Sequence, residues 1–77
     1  MIMASVKLYH PKVTSREVKF IDLSSIHEWL LVHVGVHAEF RDQVDETFPW
    51  HEAHRFNYVE FSFAREQDAI MFTLRWQ

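Results

Sequence analysis

The chain has no cysteine, a single glycine and only two prolines in 77 residues. Without cysteine, no disulfide or thiolate metal centre can brace it, and the composition fits a reducing compartment. With Gly35 as the lone glycine there is no glycine-rich phosphate cradle and no Gly-x-Ser-x-Gly nucleophile turn. No apolar run approaches the roughly 20 residues that a membrane-spanning helix needs, and residues 1–4 lack the basic-then-apolar start of an export signal. The expectation is a soluble protein with no membrane partner. Basic residues are scarce too. Eight Lys and Arg against eleven Asp and Glu leave a net charge of −3, the wrong sign for neutralising phosphates, so nucleic acid is not expected as a main partner.

What is abundant is apolar and aromatic. Hydrophobic residues make up 48% of the chain, with seven Phe, three Trp and two Tyr. A chain this short supports one core, so residues 1–77 read as a single domain in which those rings supply most of the packing. Residues 56–76 are the organising stretch. Val59, Phe61 and Phe63 alternate with Phe56, Tyr58, Glu60 and Ser62, which predicts a strand with one core face and one mixed, half-solvated face. After Ala64 the period changes: Ala69, Phe72 and Trp76 fall on one helical stripe with Ile70 and Leu74 beside it. Glu66 and Asp68 in the first turn and Arg75 in the last match the helix dipole.

Upstream, residues 5–9 alternate Val6 and Leu8 with Lys7 and Tyr9, and His10-Pro11 ends that strand. Residues 17–22 alternate again and predict a hairpin partner, unless residues 14–17 open a helical turn instead. Ser25 and Glu28 have capping-box spacing, so a helix is expected from Ser25, with Ile26, Trp29, Leu30, His33 and Val34 on one face and Gly35 as its C-cap. Val36, Phe40 and Val44 recur at helical spacing and predict that the helix restarts after a kink. Pro49 breaks that pattern, and residues 50–55 read as a short strand leading into the central one. The fold class is therefore α+β: a small antiparallel sheet with helices packed on one face. Val59, Phe61, Phe63, Ala69, Phe72, Trp76, Ile26, Trp29 and Leu30 are the expected centre of the core.

Six histidines stand out. His33 with His37 and His51 with His54 have spacings that would share a helix face, as zinc ligands do. Gly35 interrupts the first pair and the second lies outside the expected helices, so the expectation is no metal and no cofactor. His27-Glu28 and His51-Glu52 are adjacent pairs whose side chains diverge on any regular element. With no converging groups, catalysis is not expected. The acidic run Glu39, Asp42, Asp45 and Glu46 reads as a solvated helix face or, less simply, as a partner-recognition feature. The aromatic strand followed by Asp68-Ala69 resembles the last half of an RNA-recognition fold, but Glu60 sits among the would-be stacking positions and flanking basic residues are missing.

The C-terminal part carries Trp50, His51 and His54, then Val59-Glu-Phe-Ser-Phe63, then Glu66-Gln-Asp68-Ala69-Ile-Met-Phe72-Thr-Leu-Arg-Trp76. In these elements it resembles a loose family of short bacteriophage proteins, over about a quarter to a third of the chain. The resemblance implies a phage-encoded accessory protein made in the cytoplasm of the infected bacterial host, and it implies no catalytic residues. The expected function is a non-enzymatic protein that binds and modulates a host or phage protein. A minor virion component and a metal- or single-stranded nucleic-acid-binding module are the alternatives. The expected partner surface is the helix-free sheet face, Phe56, Tyr58, Glu60 and Tyr9, with Lys7, Glu17 and Lys19 as hairpin contributions and with homo-oligomerisation as its simplest use.

Overall fold

The computed structural model describes residues 2–9 and 22–76. Strand β1 (Ala4–Tyr9) leads to helix α1 (Leu23–His33), a 3-10 turn at Arg41–Gln43, strands β2 (Trp50–His54) and β3 (Tyr58–Phe63), and helix α2 (Glu66–Trp76). The expected strand over residues 17–22 and its hairpin with β1 lie outside the described residues, apart from Asp22. The sheet is antiparallel in the order β1-β3-β2. Its central strand is the one whose alternation is clearest, and the α+β architecture is as the sequence implies.

Val59, Phe61 and Phe63 are fully buried. Their register partners Leu8 and Val6 on β1 share that face and are buried as well. Phe72 of α2 packs on Phe61 and Phe63 at centroid distances of 4.7 and 5.4 Å. Ala69, buried one turn earlier, presents no bulk that would hold the helix off the sheet. From α1, Ile26 and Leu30 are buried in the same cluster, and Trp29 sets its edge against Phe72 and Trp76 at 6.1 and 6.5 Å. Asp68 is buried in the first turn of α2, where the positive end of the helix dipole favours a carboxylate. Ile70 and Leu74, expected beside the apolar stripe, are exposed: α2 meets the sheet along the narrower line of Ala69 and Phe72, with Trp76 partly covered.

Three local expectations are corrected. First, α1 begins at Leu23, not at Ser25. Asp22 is its N-cap: the Ser25 amide and hydroxyl donate to the two carboxylate oxygens at 3.1 and 2.7 Å. Those donors hold the Asp22 carboxyl below its usual range. The earlier start adds half a turn that packs Leu23 against the core. Second, the helix does not restart after Gly35. Gly35 takes φ +140° and its amide closes back on the Leu30 carbonyl at 2.8 Å. Beyond it His37 forms a parallel bridge with Trp50, and the Ala38 amide donates to the Trp50 carbonyl at 2.6 Å, so this backbone serves as a sheet extension. Of the apolar repeat, Val44 is buried whereas Val36 and Phe40 are exposed. Third, Phe56 is not in the central strand. The Arg55 amide donates to the Tyr58 carbonyl at 2.9 Å, which puts Phe56 and Asn57 at the tip of the β2–β3 hairpin.

Truncating Phe61 or Phe72 to alanine should cost roughly 3–5 kcal/mol, since each leaves a ring-sized void in a single core. Leu74→Ser should change stability by less than about 0.5 kcal/mol, and urea unfolding of the three variants checks both. Gly35→Ala should destabilise by roughly 1–3 kcal/mol: a Cβ there would lie 3.1 Å from Pro49 Cγ on backbone that L-residues avoid. Thermal unfolding reads that loss.

Candidate functional site

At one end of the sheet the register places Tyr9 opposite Tyr58, and the rings meet at 5.3 Å and 48°. Lys7 lies opposite Glu60, and its Nζ sits 5.1 Å from the Tyr58 ring centroid. Tyr9 is 60% exposed and Phe56, on the hairpin tip at the same end, is fully exposed at 102%. Tyr58 and Glu60 are half-buried. Of the four residues expected to form a partner surface, Tyr9, Tyr58 and Glu60 thus lie on the helix-free face, and Phe56 reaches the same end from the turn. Ser62, grouped with them by alternation, is buried, 3.3 Å from Ser5 Oγ across the strands. The remaining hairpin contributors, Glu17 and Lys19, lie outside the described residues.

The histidines group differently from their spacing. His33 lies tilted against Trp29 at 4.9 Å, on the helix side of Gly35, while His37 lies past it against Trp50 at 5.6 Å. On β2, residues three apart face opposite ways. His51 lies opposite Ser62 on the helix-free face, and its Nδ1 donates to the Ala38 carbonyl at 2.9 Å. His54 lies on the helix face. Neither expected pair converges.

Instead Glu52 becomes the meeting point. It lies on the helix face, opposite Phe61, and each of its oxygens takes a hydrogen bond from an imidazole Nε2: His27 of α1 on Oε1, His54 of its own strand on Oε2. An ionised carboxylate only accepts, so both rings present a protonated Nε2 to it. The i, i+2 spacing of Glu52 and His54 on a strand was a usable signal for half of this cluster, whereas His27 is 25 residues away and carried none. Among the described residues, no group of three or more histidine, cysteine or carboxylate side chains is arranged to hold a metal ion.

Trp50 fastens the surroundings. Its indole Nε1 donates to the Gly35 carbonyl at 2.7 Å, His27 stacks on it at 6.0 Å, and Phe61 backs it at 6.4 Å. The result is a groove of about 440 Å³ between His27 and Leu31 of α1, the segment 35–39 and β2. Glu52→Ala should perturb the ring resonances of both His27 and His54 and leave those of His33 in place. Histidine-selective NMR of the two proteins makes that comparison.

Searches against protein-family models, curated proteins and solved structures found no match for the chain.

Proposed function

We propose that this chain is a small non-enzymatic accessory protein of a bacteriophage, which binds a bacterial-host or phage protein in the infected cell's cytoplasm and modulates it. The C-terminal pattern of aromatic strand, Asp68-Ala69, Phe72 and Trp76 supports the origin. Phe56 carries the binding reading. A phenylalanine at a two-residue hairpin tip contributes nothing to the core while fully exposed, and burying such a ring against a partner is worth roughly 1.5–3 kcal/mol. It stands at the same end of the sheet as the Tyr9 and Tyr58 pair, with Lys7 and Glu60 beside them. Rigid rings with polar tips and mixed charges at the margin are what protein interfaces favour.

Phe56→Ser should leave thermal unfolding within about 0.5 kcal/mol of the parent, because the side chain has no packing to lose. The same change should abolish recovery of the partner when tagged protein is purified from infected cells. Recovery with capsid or tail proteins would make the chain a virion component. Recovery with nucleic acid alone would overturn the protein-binding reading, and a monomer formed from a parent dimer would identify the partner as a second copy.

A further inference from the structure

We propose that the groove beside Trp50 is a second interaction surface, and that its occupant is a basic amphipathic peptide segment of a partner protein. The groove is walled by Leu31, Val36, His37 and Glu39, with Trp50 and Glu52 behind them. A second hollow of about 420 Å³, lined by His37, Glu39, Gln43 and Phe48, shares two of those residues, and the two adjoining hollows together are the proposed trough. Leu31, Val36 and Phe48 are 61%, 53% and 42% exposed. None is needed by the core, which α1 serves through Ile26 and Leu30 on its other side.

Charge selects the occupant. Residues 36–52 contain five carboxylates, Glu39, Asp42, Asp45, Glu46 and Glu52, against the single cation Arg41. The whole chain is only −3, and of these carboxylates Glu39 and Glu52 line the hollows, with no Lys or Arg beside them among the described residues. The acidic run is not the flank of a helix. It follows an extended strip and a 3-10 turn, and Glu39 lines both hollows. Apolar walls under an acidic margin complement a helix or strand with leucine-like side chains on one face and Lys or Arg on its borders. The apolar contacts would supply affinity, and the carboxylates register and rate of encounter.

The test is titration of the intact protein with a synthetic Leu/Lys amphipathic peptide of about four helical turns, followed by calorimetry and amide NMR. Saturable binding is expected, weakened by salt, with shifts confined to the C-terminal end of α1, residues 36–39 and Phe48. Leu31→Ser with Val36→Ser, and separately Glu39→Lys, should each weaken binding by about tenfold or more, with circular dichroism melts unchanged because all three side chains are exposed. Phe56→Ser should leave peptide binding intact, so failure of this surface and failure of the hairpin-end surface are read separately. Equal binding of a Ser/Lys peptide, shifts mapping to Tyr9 and Tyr58, or insensitivity to both groove variants would overturn the proposal. A dimer dissolved by the double serine variant would overturn it too, by showing that a second copy occupies the trough.

Discussion

The seat of Phe72 between Phe61 and Phe63 is the contact on which the rest of the structure depends. Two rings on the core face of β3 are closed from above by one ring on α2. Everything else on that face is arranged around this trio: Val6 and Leu8 from one neighbouring strand, Trp50 from the other, and Ile26 and Leu30 from α1. With no cross-link to constrain the unfolded chain, a domain of this size has little stability beyond what such a cluster provides.

The parts of the fold that were legible in the sequence are those whose side chains answer to one buried face. Val59, Phe61 and Phe63 give period two because β3 is central and paired on both edges, and Ala69 and Phe72 give the helical stripe because α2 lies over them. Residues 50–55 were legible as a short strand through Pro49 before them, and the strand formed is Trp50–His54. The same logic misled wherever an apolar repeat had no face to serve. Val36, Phe40 and Val44 keep helical spacing, yet the Ala38 amide bonds Trp50 and those of Gln43 and Val44 close a 3-10 turn, and only Val44 is buried. Phe56 continues the alternation of β3, but the chain must reverse between Arg55 and Tyr58, and that requirement overrides periodicity. At the start of α1 the cap is Asp22, not the expected Ser25. The helix that starts there also packs Leu23 against the core.

The candidate sites were legible in unequal measure. Tyr9, Tyr58 and Glu60 were assigned to a common face by parity alone, and register delivers them there. The Glu52 cluster was legible only in its Glu52 and His54 half, on one strand. It joins His27 of α1 to β2, and such a contact depends on how a helix crosses a sheet, a relation no local pattern encodes. The acidic run was read as a helix flank because a helix was expected beneath it. Once Gly35 turns the chain away, no helix lies beneath those carboxylates, and Glu39 lines the groove beside β2 instead.

The sheet order has a kinetic meaning as well. β2, β3 and α2 are consecutive, joined by a two-residue hairpin tip and a short link, so they can assemble with little loss of chain entropy. β1 pairs with β3 across about 50 residues of intervening chain, a closure whose cost grows only slowly with length but falls on that strand alone. On that topology the C-terminal half is expected to form first and the N-terminal strand to dock onto it. Val6 and Leu8, at the far end of that connection, would then complete the core rather than start it.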